Sequence, residues 1–348
     1  MANQPWPLGL ALNRARRAYQ QRRQQLAVAT LDVTRQQLTV ESQVTSPYLI
    51  LVVSSCLIAS FGLLANSAAV IIGAMLIAPL MLPIRAAAFG ILEANRGLIR
   101  QSLGCLLVGS GLALAIATAL AYLSGVAAYG SEVIGRSQPT LLDLGVAITA
   151  GALAAVAAVE PRLSSAVAGV AIAVALMPPL CVVGLWLAQA NWTMALGSLL
   201  LYGTNLFGII LAAMVAFVVL GYVPLSQANR PLAITLVFTA LLALPLGATT
   251  LQLLRQNQLE ASLRAALVDR TLTFQRLSLV EMEVNWLSTP TEVLLTVRSA
   301  DPVTAKQVSL LEAFLERELG RPFKLHFLVS YLEDITSDPQ PNLPWRGN

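Results

Sequence analysis

Long apolar runs, separated by short polar links, fill the chain between Tyr48 and Leu251. Each run approaches the roughly 20 residues that a membrane-spanning helix requires. The pattern predicts seven such helices, at Tyr48–Ala65, Ser67–Leu92, Ser102–Leu123, Leu141–Val159, Ser164–Leu187, Ser198–Leu220 and Pro231–Leu251. The first two runs are joined only at Asn66, and the fourth and fifth only around Pro161. Both pairs are therefore predicted to be tight helical hairpins.

Polar sequence flanks this transmembrane domain (48–251) on both sides. Residues 1–47 predict a basic, amphipathic cytoplasmic helix, which covers 8–44 and lies on the membrane surface, in solvent or against another subunit. Residues 252–335 predict a soluble α+β domain of order α-β-β-α-β, and the Pro- and Asn-rich tail 336–348 is predicted to be disordered. The domain's elements are predicted at Gln252–Arg270, Leu277–Trp286, Glu292–Val297, Asp301–Leu319 and Phe323–Tyr331.

The transmembrane domain has the pattern of an internal repeat, with repeat 1 at 48–123, repeat 2 at 141–220 and an extra span at 231–251. Each unit is a hairpin with prolines in its second helix, followed by a third span. Identical residues recur 96 positions apart: Gly73, Leu80, Met81, Pro83 and Ser102 match Gly169, Leu176, Met177, Pro179 and Ser198. Two tandem three-span units must be inverted in the membrane, which is typical of secondary transporters. The alternative is that both hairpins are proline-kinked packing helices.

Prolines interrupt the second helix of each hairpin, at Pro79 and Pro83 and at Pro178 and Pro179. Proline removes an amide and disrupts the helix, and the freed backbone groups must find partners in protein or in a water-lined cavity. We therefore expect function at these two predicted breaks. Small residues one or two turns before them, including Gly73 and Gly169, would allow close approach of the backbone.

Composition supports the membrane assignment, because 56% of the 348 residues are hydrophobic and only 11% are charged. Arginines dominate the charged residues of 14–35, which predicts a cytoplasmic N-terminus. Since such arginines are ordinary topology signals, no nucleic-acid partner is expected. Seven spans would place the C-terminal domain on the outer side, and an error of one span would reverse that placement.

Few residues suggest catalysis or metal binding. The sequence has no nucleotide-binding, zinc-protease or nucleophile-elbow motif in a fitting context, so we expect neither an enzyme nor a cofactor. Cys56, Cys105 and Cys181 all lie in apolar runs without a CxxC motif, and His326 is the single histidine. These counts predict no metal site and no disulfide framework.

The polar candidates each have a structural and a functional interpretation. Arg85 is an anchor at the membrane interface or an anion contact at a half-helix end. Asn205 is a hydrogen-bonding contact between helices or a pathway residue. Glu160 and Arg162 set topology or stand at a pathway mouth. The remaining candidates are the turn residues Asn66 and Ser67 and the methionines near the breaks, Met75, Met81 and Met177, which are packing residues before they are metal ligands.

Two motifs carry a family resemblance. The run from Phe61-Gly62 through Asn66-Ser67 to Ile72-Gly73-Ala74-Met75 and Ala78-Pro79-Leu80-Met81-Leu82-Pro83 closely resembles the signature of the bacterial and archaeal membrane family named domain of unknown function 389. The second motif, Ala175-Leu176-Met177-Pro178-Pro179, is similar to another characteristic stretch of that family. The resemblance covers roughly Ser46 to Leu220. It implies a polytopic membrane protein, often with an attached soluble domain, and supplies no substrate. Leu82 departs from the small residue usual there.

The sequence favours a transporter or channel for a small solute or ion, with its site between the two broken hairpins. The alternative is a membrane scaffold or accessory subunit that oligomerises or binds a partner protein through its C-terminal domain. In either case we expect the protein to lie in a lipid bilayer and to form a homo-oligomer. A polar cavity at the breaks would favour transport, and dry, packed breaks would favour the scaffold.

Overall fold

Apolar helices make up the first of two units in the computed structural model, Met1–Thr250, and a small sheet with two helical segments makes up the second, Leu251–Asn348. The structure describes residues 28–159, 176–271, 277–285, 288, 290–299 and 303–331. Most of the predicted N-terminal helix, the tail, and Glu160, Arg162 and Gly169 therefore lie outside the described residues.

The first unit is helical throughout its described elements. These are α1 (Val28–Glu41), α2 (Ser46–Leu64), α3 (Ala68–Ile77), α4 (Met81–Leu92), α5 (Arg96–Ser124), the short α6 (Ser131–Gly135), α7 (Leu141–Val159), α8 (Met177–Ala188), α9 (Trp192–Val219) and α10 (Leu225–Arg270), which continues into the second unit. Among the described residues, five helices are long and apolar enough to cross a membrane, and the bent pair α3–α4 makes a sixth if it counts as one span. The lengths and apolar composition of these helices thus support the prediction of a membrane protein.

Local signals fix the ends of several helices. Thr45 caps α2 by accepting a hydrogen bond from the Tyr48 amide (3.3 Å), and Pro47 occupies the first turn, where no amide is needed. The long α10 contains Pro231 and Pro245 yet continues to Arg270. The last predicted span and the predicted helix Gln252–Arg270 are consequently one helix.

The core of the first unit forms where helices from different parts of the chain meet. Phe89 of α4 and Phe217 of α9 make an edge-to-face contact, with their ring centroids 5.2 Å apart. Helix α7 packs closely along α9, because Gly151 lies so near the Ile209 backbone that an added Cβ would be 2.4 Å from that carbonyl oxygen. The Phe89–Phe217 contact thus places α4 against α9, and the Gly151 contact places α7 on the same helix.

The second unit follows the predicted order α-β-β-α-β. Strands β1 (Leu277–Asn285) and β2 (Thr291–Ser299) pair antiparallel, helix α11 (Ala305–Leu319) crosses over, and β3 (Phe323–Tyr331) pairs parallel with β2. Side chains from the end of α10, from β2, α11 and β3 form its hydrophobic core, including Leu267, Leu295, Leu315 and Leu325.

The predicted start of α11 at Asp301 is wrong by several residues. The helix begins at Ala305 because Thr304 forms a capping box with Gln307: the Gln307 amide donates to Thr304 Oγ1, and the Thr304 amide donates to Gln307 Oε1. The sequence carried this signal, since a threonine three residues before a glutamine is typical of a helix N-terminus. Gly320 ends the helix in the left-handed conformation, as predicted.

Candidate functional site at the broken helix

The second apolar run is interrupted where Pro79 predicted a break. Helix α3 ends at Ile77, Ala78 is extended (φ −62°, ψ 122°), and α4 begins at Met81, with an angle of 53° between the two helices. Pro79 has no amide, and its carbonyl accepts a bond from the Leu82 amide at 3.2 Å. The last carbonyls of α3 and the first amides of α4 therefore lack the partners of a continuous helix.

Apolar side chains surround this break. Met75, Pro79, Leu80, Met81 and Pro83 are buried, Ala78 and Leu82 are partly exposed, and the last two residues of α3, Leu76 and Ile77, are exposed. The polar groups available at the break are thus those of the backbone itself. Such groups can coordinate an ion or a small polar solute at a half-helix end.

The second proline cluster lies at the start of α8. Met177, Pro178 and Pro179 form its first turn and are buried, and Leu176 precedes them. Helices α4 and α8 each have 12 residues and begin 96 positions apart.

The turns that follow α4 and α8 also correspond residue by residue. Ala94 and Ala190 both have a positive φ, 53° and 54°. Asn95 and Asn191 then cap α5 and α9, where their side-chain oxygens accept bonds from the Leu98 and Met194 amides. One turn further on, the hydroxyls of Ser102 and Ser198 donate to the carbonyls of the same two residues, Leu98 and Met194.

Arg85 contacts the N-terminal helix. Its Nε donates to Glu41 Oε2 at 2.8 Å, and both side chains are largely buried, with 14% and 18% exposed. In a second pair the arginine belongs to α1 instead: Arg35 donates to both carboxylate oxygens of Glu93 at 2.9 Å. The hydrogen bonds to Glu93 are the main reason that the pKa of Arg35 is raised, and the negative charge of Glu93 raises it further. We name the two pairs the α1–α4 clamp; it gives Arg85 a protein partner that its sequence position did not predict.

Asn66 and Ser67 form the tight turn between α2 and α3. Asn66 has φ 51°, and its side-chain oxygen accepts a bond from the Glu132 amide at 2.9 Å, which caps the short helix α6. The Ser67 amide donates to the Gly62 carbonyl at 2.8 Å and closes the turn. Asn66 is exposed and lies in a loop contact, so its observed bonds are structural.

The glycine expected to allow close approach, Gly73, does not do so among the described residues, because no described atom lies within 4 Å of an added Cβ. Close approach occurs instead at Gly151, against α9, and at Gly184, where a Cβ would be 2.7 Å from the Ala117 side chain. Both glycines stand in apolar helices without any neighbouring motif. Sequence reasoning missed them because interhelical distance is a tertiary property.

Asn205 is buried in the middle of α9, with 3% of its surface exposed. Its neighbour Thr204 donates its hydroxyl to the Leu200 carbonyl of the same helix. A largely apolar groove of ≈ 350 Å³ lies between α7 and α9, lined by residues such as Ile148, Val156 and Val215. Neither the break at Ala78–Leu80 nor the first turn of α8 contributes a residue to this groove.

In the part of the chain that the structure describes, no three His, Cys, Asp or Glu side chains lie close enough together to hold a metal ion. The structure does bring two cysteines together, Cys56 of α2 and Cys181 of α8. The sequence did not predict this contact, because two cysteines 125 residues apart give no spacing signal.

Comparison with known proteins finds a family match that covers the second motif and the end of the first. Residues 75–211 match the family described as domain of unknown function (DUF389). An uncharacterized protein of Methanocaldococcus jannaschii is 26% identical over 176 residues, which cover 51% of this chain and 55% of the relative. The match thus spans about half the length of that relative. No solved structure matches. The second motif and the end of the first, from Met75 onward, lie in the matched region, so residues 75–211 are similar to the DUF389 family.

Proposed function

We propose that the chain is a transporter or channel for a small solute or ion in the bacterial inner membrane, with its site between the two broken hairpins. The break at Ala78–Leu80, inside an otherwise apolar helix pair, carries this proposal. A discontinuous helix in a membrane leaves backbone groups that are tolerated only where they are buried in protein or line a watery cavity. Transporters use such half-helix ends to coordinate substrates and ions.

An inverted 3+3 repeat is part of the proposal. It is supported by the helices α4 and α8, equal in length and 96 residues apart, and by the matching turns at Ala94 and Ala190. The following helices, α5 and α9, also begin 96 residues apart, each after an asparagine cap. In this interpretation the two hairpins enter from opposite sides and their breaks meet near the membrane midplane.

A seven-span topology with a cytoplasmic N-terminus is also proposed. It is supported by contacts at the two ends of the first unit. At one end, α1 contacts the turn between α4 and α5 through Glu93. At the end where α5 finishes, Gln189 donates to the Val126 carbonyl, and Thr249 donates to the Pro139 carbonyl. Thr250 then lies at the end opposite α1, as an odd number of crossings requires.

Solute flux tests the proposed function. The full chain is reconstituted into liposomes, and glycerol and urea entry is followed by stopped-flow light scattering, proton flux with an internal pH dye, and K⁺ and Cl⁻ currents in planar bilayers. We expect at least one probe to move faster than in empty liposomes. Pro79→Ala, which restores an amide at the break, should reduce that flux, whereas Leu107→Ala on the exposed surface of α5 should not. Equal flux with and without the protein for every probe would count against transport.

A scaffold is a second candidate because Met81 and Pro83 at the break, and Pro179 in the first turn of α8, are buried and apolar. A break that is packed with apolar side chains and excludes water would stabilise the helix packing and would not conduct a solute. In that case the C-terminal domain holds a partner protein or a second copy of the chain. Purification of the chain with a stoichiometric partner, together with no flux in liposomes, would favour this function.

A further inference from the structure

Two buried thiols meet where the hairpins of the two proposed repeats contact each other. The sulfur atoms of Cys56 in α2 and Cys181 in α8 are 3.7 Å apart, and both residues are fully buried. A disulfide requires about 2.0 Å between sulfurs, so these are two separate thiols in contact. The Cys56 thiol also donates to the Ala113 carbonyl of α5 at 3.2 Å, so three helices converge at this point.

The surroundings of the two thiols restrict the ligand that could bind. Zinc takes four N, S or O ligands, and calcium and magnesium take six or more oxygens. The described part of the chain brings no such set together. Soft sulfur ligands instead select monovalent ions such as Cu(I), for which two sulfurs suffice. Met177 stands one turn before Cys181 on the same face of α8 and adds a soft thioether to this region.

We propose that Cys56 and Cys181 bind one soft monovalent cation of the Cu(I) and Ag(I) class and so bridge α2 and α8. Two metal–sulfur bonds form, and one S–H bond breaks as its proton passes to solvent. One thiolate and one thiol then hold the ion, and the site stays neutral, as an apolar interior favours. No electron is transferred. This site goes beyond the proposed function, because binding requires no transport.

Silver binding to the purified full chain in detergent tests the proposal. Ag(I) is the probe because it is stable in air, and excess free methionine removes weakly bound ions before bound silver per chain is measured by mass spectrometry. We expect wild type to retain about one ion per chain, and Cys56→Ser and Cys181→Ser to bind at least about tenfold more weakly. Cys105→Ser is the matched control, since it removes the third buried thiol, and it should bind as wild type does.

The serine variants are checked for folding by gel filtration, and Cys56→Ala and Cys181→Ala repeat the measurement without a buried hydroxyl. X-ray absorption at the silver edge should find two sulfur neighbours in wild type. Equal silver retention in all variants, or an equal loss in Cys105→Ser, would overturn the site and leave the cysteines as packing residues. Because the assay measures binding in detergent, its failure leaves the flux experiment unaffected, and an absence of flux leaves the site intact.

Discussion

At the scale of single residues, the α1–α4 clamp best explains why charged side chains occur beside an apolar break. Helix α1 supplies Arg35 and Glu41, whereas Arg85 lies in α4 and Glu93 is the residue that caps its C-terminus. Each side thus supplies one arginine and one glutamate, paired as Arg35–Glu93 and Arg85–Glu41. Because Arg85 and Glu41 are mostly shielded from water, loss of either partner leaves a poorly solvated charge. The clamp thus ties the helix that precedes the membrane domain to the second half of the broken span.

Removal of one partner should therefore destabilise the protein. Arg85→Gln and Glu41→Gln should each lower stability by about 1–3 kcal/mol, since each removes a hydrogen bond between charged groups. The double variant should lose less than the sum of the two. Thermal melting in detergent measures the change. Arg100→Gln, at an exposed position of α5, is the control and should melt as wild type does; additive losses in the double variant would show that the pair is not coupled.

Residue types alone could predict part of this arrangement. The position of Arg85 after two prolines indicated an interfacial location, but its partner Glu41 lies 44 residues earlier and no spacing rule connects them. The Cys56–Cys181 contact and the close approach at Gly151 escaped prediction for the same reason. Each depends on how helices that are distant in sequence pack, whereas Pro79 acts on its own helix and could be predicted to break it.

At the scale of elements, the corresponding turns at Ala94 and Ala190 give the proposed repeat a measurable consequence. A left-handed conformation costs an alanine roughly 1 kcal/mol or more, and glycine adopts it freely. Ala94→Gly and Ala190→Gly should both raise the melting temperature. Ala119→Gly, at an exposed position inside α5, should lower it, because glycine destabilises a helix interior. Opposite signs at the two turns would argue against equivalent units.

The packing of α7 on α9 makes a second prediction. Gly151→Ala should destabilise the protein by about 1–3 kcal/mol, because the new methyl group would overlap the Ile209 carbonyl and force the helices apart. Gly145→Ala, six residues earlier in α7 and without a described atom within 4 Å of an added Cβ, is the matched control and should be neutral or slightly stabilising. Equal effects at both glycines would contradict the close contact.

Element type was easier to predict than element boundaries. The β3 strand was predicted with the bounds it has, because its alternating pattern lies between Gly320 and a polar tail. The third and sixth apolar runs were predicted to begin at serines, yet α5 and α9 begin six residues earlier, at their asparagine caps. Apolar periodicity locates the membrane-facing part of a helix, and the polar first turn extends beyond it.

At the scale of the whole molecule, the number of spans determines the side on which each end of the chain lies. The proposed seven crossings would place the N-terminus and the residues after Thr250 on opposite sides of the membrane. A tag after Trp345 should therefore react with an impermeant reagent in intact spheroplasts, whereas a tag before Pro5 should react only after permeabilisation. Labelling of both tags under the same condition would require an even number of spans.

Whether water reaches the break at Ala78 distinguishes a transporter or channel from a scaffold. Ala78→Cys is made in a chain whose three native cysteines are replaced by serine or alanine, reconstituted in liposomes and exposed to a charged, water-soluble thiol reagent. A functional break predicts modification at Ala78→Cys and none at Leu107→Cys, which is exposed on the apolar surface of α5. If Ala78→Cys stays unmodified from both sides of the membrane while the protein is folded, the break is dry and the proposed transport site is contradicted.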